Sequence, residues 1–167
     1  MEPVIDRNKE YGIVLEGGGA KGAYQIGVWK ALKEAGLKIS AIAGASVGAL
    51  NGALICMDDI EKAETVWGDI SYSKVMDVDD DIMEKLIKRE LPIKEAIKES
   101  IKFLGDGGVD ITPLKNLITE HIEEETIRKS LIQFYVVTFS LTELKELDLD
   151  AKEIPEGLLG DLLLASA

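Results

Sequence analysis

The chain has 167 residues, 46% of them hydrophobic, which is enough to bury a core and predicts a single domain over residues 1–167. Its net charge of −12, from 31 acidic and 19 basic residues, argues against nucleic-acid binding, because phosphates would repel such a surface. The single cysteine excludes an intramolecular disulfide, no apolar run approaches the ~18 residues of a membrane span, and the first ten residues lack a secretory signal, so we expect a cytoplasmic protein.

The first predicted unit is strand–loop–helix–strand. Residues 12–15 are apolar and predict a fully buried parallel strand, which leads into the glycine segment EGGGAKG at residues 16–22. The helix that follows is predicted to stop at Gly36 and to carry one apolar face, formed by Tyr24, Val28, Ala31, Leu32 and Ala35. A second strand over residues 38–43 completes a βαβ unit.

The glycine segment can be interpreted in two ways. Gly17, Gly19 and Gly22 satisfy G-x-G-x-x-G, the dinucleotide-binding pattern, but the second strand ends without the acidic residue that would bind the ribose. A phosphate-binding Walker A loop is excluded more firmly, since Ala23 and Tyr24 occupy the places of its lysine and hydroxyl residue. Alternatively, consecutive glycine amides could donate hydrogen bonds to an oxyanion beside a nucleophile on the neighbouring strand.

The second strand runs into such a nucleophile. Residues 44–48, GASVG, form the pattern G-x-S-x-G between a β-type run and a helix-prone run, which is the context of a nucleophile elbow. Gly44 and Gly48 would give the chain and a substrate close access to the Ser46 hydroxyl. The helix that starts at the turn would direct its N-terminal amides toward the developing negative charge.

Together, GGGAKG and GASVGALNGAL resemble the patatin-like phospholipases, a family of lipid acyl hydrolases, over at least residues 11–54. The resemblance implies that Ser46 is the nucleophile and that Gly17, Gly18 and Gly19 bind the oxyanion. It places Lys21 on the basic position of the glycine loop. It also implies a Ser–Asp dyad without histidine, so that the one histidine, His121, is interpreted as a solvated residue rather than a base.

The middle of the chain is predicted to be mostly helical. Cys56 and Trp67 are interpreted as core residues, and the acidic residues 77–81 as a solvated turn rather than a metal site. Two amphipathic pieces over residues 82–104 are broken at Pro92 and are interpreted as covering helices, with a membrane-surface lid as the alternative.

The third motif of the family, Asp-Gly-[Gly/Ala], has one local match at Asp106, which we do not assign as the base. Asp106 precedes a short helix with a proline near its start, whereas the family motif follows a later helix that ends in Ala and Ser. That helix is predicted over residues 156–167, after a strand at 133–140 and its partner at 144–149. We therefore expect the aspartate beyond Ala167 and the chain to be incomplete at its C-terminus.

These observations predict an α/β fold with a mainly parallel sheet, helices on both faces and the three-layer arrangement of the patatin-like family. The expected function is hydrolysis of a lipid or other acyl ester through a serine acyl-enzyme, with no metal or organic cofactor and with transient membrane-surface contact at most. Two alternatives stay open: a nucleotide-binding domain, and a non-catalytic module that binds lipid or a partner. The sequence leaves the oligomeric state undetermined.

Overall fold

The computed structural model describes residues 6–71, 73–75, 80, 81, 85 and 110–167. The chain divides into two compact units, one formed by Met1–Gly68 with His121–Ala167 and the other by Asp69–Glu120. The first unit contains both sequence motifs. Among the described residues, no helix is both long enough and apolar enough to cross a bilayer.

The first unit is built on a sheet whose strands lie side by side in chain order. β1 (Glu10–Leu15) pairs parallel with β2 (Lys38–Ala45), which pairs parallel with β3 (Gln133–Ser140), and β3 pairs antiparallel with β4 (Lys145–Asp150). The predicted α/β class and mainly parallel sheet are confirmed, as is the pairing of the 133–140 strand with the segment after it. Because β1 and β2 are parallel, both glycine-rich turns leave the same edge of the sheet.

Most helices follow the predicted order with shifted ends, but the helix Glu124–Lys129 was not predicted. In the first unit they are a 3₁₀ turn (Gly19–Lys21), α1 (Gly22–Glu34), α2 (Val47–Met57), α3 (Ile60–Asp69, its last residue in the second unit), α5 (Glu124–Lys129) and α6 (Leu159–Ser166). The second unit holds α4 (Thr112–His121, its last residue in the first unit). The Thr112 N–H donates to the Asp110 carboxylate at 2.8 Å, which fixes the start of α4.

Helix α2 is the centre of the core. Nine of its 11 residues are buried, because it lies between the sheet and α1. Its glycines allow this close packing: a Cβ atom added to Gly52 would lie 2.5 Å from the Phe134 ring and 3.2 Å from Ile42. A helix that is apolar on every side is stable in water only when it is covered in this way.

The prediction of which face of α1 is buried is wrong. Tyr24 is 78% exposed and Val28 is 40% exposed, whereas Ile26 and Trp29 are buried with Gly22. Helix α1 packs on α2, and its buried stripe starts at the close contact at Gly22. The prediction chose the apolar stripe that begins two residues later.

Burial of β1 also differs from the prediction. Val14 is 84% exposed while Leu15 is 9% exposed, so β1 alternates instead of being buried on both faces. The core assignment of Cys56 is confirmed, since Cys56 is 4% exposed, whereas Trp67 is only half-buried. The acidic residues 77–79 and nearly all of the amphipathic segment 82–104 lie outside the described residues.

Candidate active site

Ser46 lies in the sharp turn between β2 and α2. Its backbone angles, φ 53° and ψ −129°, are rare for a residue with a side chain and mark stored backbone strain. The turn places Ser46 at the N-terminus of an 11-residue helix, where the helix dipole is positive and favours negative charge. This is the strand–turn–helix geometry that the G-x-S-x-G pattern predicts for residues 44–48.

Gly44 and Gly48 make this turn possible by close approach. A Cβ atom on Gly44 would lie 2.4 Å from the Gly48 carbonyl oxygen, so no larger residue fits inside the turn. A Cβ atom on Gly48 would lie 2.1 Å from the Leu15 carbonyl oxygen, the last residue of β1. The start of α2 therefore rests on the end of the neighbouring strand, close to the beginning of the glycine loop.

The glycine loop, residues 16–19, lies against Ser46. A Cβ atom on Gly17 would lie 3.1 Å from Ser46 Cβ and 3.6 Å from Ser46 Oγ. The structure thus brings Gly17 and Ser46 together, although they are 29 positions apart in the sequence. Gly19 has φ 55°, a left-handed conformation in which its lack of a side chain avoids strain.

The backbone N–H groups of the loop are its candidate hydrogen-bond donors. Among the described residues, no backbone hydrogen bond has the amide of Gly17 or Gly18 as its donor. Gly18 instead accepts, through its carbonyl, a hydrogen bond of 3.2 Å from the Lys21 N–H, and the Lys21 side chain is exposed. Free amides beside a hydroxyl are the donors that an oxyanion site needs.

A polar network centred on the buried Asn51, which was not predicted from the sequence, ties the loop to α2. Asn51 is completely buried, and its Nδ2 donates to the Gly22 carbonyl at 2.9 Å and to Gln25 Oε1 at 2.8 Å. Its Oδ1 accepts from Trp67 Nε1 at 2.8 Å. Gln25 Nε2 then donates to the Glu16 carbonyl at 2.8 Å, at the first residue of the loop. The sequence signal for this network was Asn51 itself, a polar residue inside an apolar, glycine-rich helix.

Gly22 is the contact point of α1 with this region. A Cβ atom there would lie 2.6 Å from both the Trp67 ring and Val47. Gly22 is therefore required for packing. This explains the third glycine of the G-x-G-x-x-G pattern without a bound nucleotide.

Ser166 is the second residue that sequence reasoning missed. It is the last residue of α6, and its hydroxyl accepts a hydrogen bond from the Ser46 N–H at 2.9 Å. The same hydroxyl donates to the Val137 carbonyl at 2.7 Å. These residues are 120 positions apart in the sequence, and nothing local in either segment predicts their contact.

Within the described residues, no hydrogen bond joins the Ser46 hydroxyl to a carboxylate. Asp106 lies outside those residues, so its distance from Ser46 stays a prediction. His121 is half-buried and ends α4. No group of three or more His, Cys, Asp or Glu side chains suited to a metal ion occurs in the described part of the chain.

A cavity of about 550 Å³ lies away from Ser46, near the C-terminal end of α2. Its lining includes Trp29, Lys33, Ile39, Cys56 and Ser130, and neither Ser46 nor the glycine loop contributes to it. Ile39 stands near the start of β2, so the cavity is at the edge of the sheet opposite to the two turns.

The comparisons with known proteins match the chain to one family over most of its length. The family model of the patatin-like phospholipases matches residues 13–167. Lysophospholipase nte1 of Aspergillus terreus is 56% identical over 50 residues, which cover 30% of this chain and 3% of that protein. Neuropathy target esterase sws of Drosophila sechellia is 55% identical over 47 residues, covering 28% and 3%.

One solved structure supports the same fold. The crystal structure of VipD from Legionella pneumophila aligns with a TM-score of 0.54 and 16% identity, covering 91% of this chain and 41% of VipD. The likeness at this identity concerns the fold alone. All three matched proteins are much longer than the part that this chain aligns with.

Proposed function

Because the chain belongs to the patatin-like phospholipase family, we propose that it hydrolyses acyl esters of lipids with Ser46 as the nucleophile. The family supports a lipid hydrolase in general; the assignment of the serine rests on the site. The main observation behind this assignment is the contact between two turns, in which Gly17 lies against the side chain of Ser46. Ser46 has a strained backbone and immediately precedes a helix.

The proposed reaction has two steps. Ser46 Oγ attacks the ester carbonyl carbon while its proton passes to a base, and the carbonyl oxygen becomes an oxyanion. The amides of Gly17, Gly18 and Gly19 donate to that oxyanion, assisted by the positive end of α2. Collapse of the tetrahedral species leaves an acyl-Ser46 ester and expels the alcohol, whose oxygen takes the proton from the protonated base. The base then takes a proton from water, which attacks the acyl ester, and the free acid leaves as Ser46 Oγ regains its proton.

The base in this proposal is an aspartate other than Asp106. Asp106 stands before the helix Thr112–His121, whereas the strand that borders the elbow, β3, begins only at Gln133. Asp106→Asn should therefore retain most of the esterase activity of the whole protein. Activity lost to the level of Ser46→Ala would identify Asp106 as the base instead.

The proposal is tested by hydrolysis of a short-chain p-nitrophenyl ester and of a lysophospholipid by the whole protein. Ser46→Ala should lower the rate by at least about 10³-fold, the usual cost of removing a nucleophile. Cys56→Ala is the matched control, because it removes the other nucleophilic side chain of the same helix and should leave the rate unchanged. Equal rates for wild type and Ser46→Ala would overturn the proposal, and a wild type without activity would favour a non-catalytic module.

The nucleotide-binding alternative is tested separately. The loop that carries G-x-G-x-x-G lies against Ser46, and β2 ends at Ala45 without a carboxylate for a ribose. We expect no saturable binding of NAD or NADP below millimolar concentration in a calorimetric titration. Micromolar binding would restore the dinucleotide interpretation of Gly17, Gly19 and Gly22.

A further inference from the structure

Ser166 forms hydrogen bonds to the chain at the ends of two neighbouring strands, β2 and β3, next to the turn at Ser46. The pairing of β2 with β3 ends at Ala45 and Val137. Beyond this pair, the Ser166 hydroxyl stands between the strands, accepting from the Ser46 N–H at 2.9 Å and donating to the Val137 carbonyl at 2.7 Å. Both hydrogen-bonding functions of the hydroxyl are thereby used.

The amide that Ser166 binds belongs to the strained residue itself. Backbone conformations such as φ 53° and ψ −129° persist only when surrounding contacts hold them in place. The glycine contacts at positions 44 and 48 permit the turn by leaving space. The hydrogen bond from Ser46 to Ser166 instead fixes the direction of the peptide that carries the Ser46 side chain.

Helix α6, which carries Ser166, is held in place by hydrogen bonds at both of its ends. At its start, the Glu124 carboxylate accepts from the N–H groups of Gly157 at 3.0 Å and Leu159 at 3.3 Å. At its end, Thr138 Oγ1 donates to the Ala165 carbonyl at 2.9 Å. The buried face of α6 includes Leu159, which is completely buried. A side chain on an element held at both ends can position a neighbour accurately.

We infer that Ser166 is a positioning residue for the reaction of Ser46, acting through the Ser46 backbone amide and not through contact with the substrate. The inference rests on the proposed function. It has a direct consequence for the oxyanion: the Ser46 N–H is already engaged by Ser166 and is not available as a donor to it. Loss of the Ser166 hydroxyl should therefore misdirect Ser46 Oγ without removing any group that binds substrate.

The test is steady-state kinetics of ester hydrolysis with variants of the whole protein. Ser166→Ala should lower kcat on the order of 10- to 100-fold, the effect of a small misplacement of a reacting group, with KM nearly unchanged. Ser166→Thr keeps the hydroxyl and should restore kcat to nearly the wild-type value. The rate of fluorophosphonate labelling at Ser46 should follow kcat across the series.

Thr138→Val is the matched control, because it removes the neighbouring hydrogen bond to α6 without touching Ser46. It should leave kcat nearly unchanged. If Ser166→Ala does not fold, Ser166→Cys takes its place, since a thiol of similar size is a weak hydrogen-bonding group and should show the same loss of kcat.

The outcomes separate this inference from the proposed function. Wild-type kcat in Ser166→Ala or Ser166→Cys, with activity still dependent on Ser46, overturns the positioning role alone. The same holds if Thr138→Val lowers kcat as much as Ser166→Ala, since anchoring of α6 would then explain both. Activity that survives Ser46→Ala overturns the proposed function itself. A loss of kcat confined to Ser166→Ala and Ser166→Cys, with rescue by threonine, supports the inference.

Discussion

Helix α2 carries a nucleophilic side chain near each end, and the two lie in opposite environments. Ser46 immediately precedes the helix, half-buried, strained and beside the amides of the glycine loop. Cys56 is the penultimate residue, 4% exposed and in regular helical geometry. Burial raises the pKa of the Cys56 thiol from 9.0 to about 12, against smaller opposing effects of Lys152 and Ser130.

The comparison shows how strongly placement changes the environment of a nucleophilic group. A thiol is intrinsically the better nucleophile, but only as the thiolate, which burial and the negative end of a helix both disfavour. A serine hydroxyl is a poor nucleophile that becomes useful where the backbone presents it to donors and to a base. In this chain, the strained turn and the glycine loop lie at the serine, and the base stays a prediction.

The largest expected effect comes from adding a side chain at Gly48, where the N-terminal end of α2 contacts the end of β1. Gly48→Ala would put a Cβ atom 2.1 Å from the Leu15 carbonyl oxygen, which requires the helix and β1 to separate. We expect a loss of about 3 kcal/mol or more in the free energy of unfolding, measured by urea denaturation, together with loss of activity.

Gly27→Ala is the control for this substitution. Gly27 lies inside α1, and a Cβ atom there would meet nothing within 4 Å. This variant should be about 0.5–1 kcal/mol more stable than the wild type, because alanine favours the helix. Similar destabilisation of both variants would show that the contact at Gly48 is not what holds the turn.

A smaller effect is expected from the polar network that joins Asn51 of α2 to the glycine loop. Asn51→Ala leaves the Trp67 indole N–H without its partner and should cost about 2 kcal/mol of stability. It also frees Gln25, which holds the Glu16 carbonyl, so the labelling rate of Ser46 should fall. Gln25→Met separates the two effects: it should slow labelling with little loss of stability. Unchanged labelling in both variants would contradict a role for the network in placing the loop.

The smallest effect is expected at the cysteine end. Cys56→Ala should cost about 1 kcal/mol of stability at pH 8 and leave ester hydrolysis intact. Because the folded pKa is raised, the stabilising effect of the neutral buried thiol is complete below pH 9 and is lost as the pH rises from 9 toward 12. The stability difference from Cys56→Ala should therefore shrink over that range in chemical denaturation. A difference that is constant with pH would contradict the burial of the thiol.

The turn around Ser46 was predicted well from the sequence, because the signals for it are local. The glycines at 44 and 48 and the run from strand to helix encode the turn around Ser46 within a few residues. The burial of Tyr24, Val28 and Val14 was predicted poorly, because burial depends on which neighbour covers a helix or strand. Ser166 could not be predicted, since its function depends on a contact with Ser46 across 120 positions.

The role of Ser46 as the nucleophile is tested most directly by locating the site of covalent labelling. The whole protein is treated with a fluorophosphonate at neutral pH, digested, and the modified peptide is located by mass spectrometry. We expect a single adduct on Ser46, absent in Ser46→Ala and unchanged in Cys56→Ala. An adduct on another residue, or labelling that persists in Ser46→Ala, would contradict the claim that Ser46 is the nucleophile.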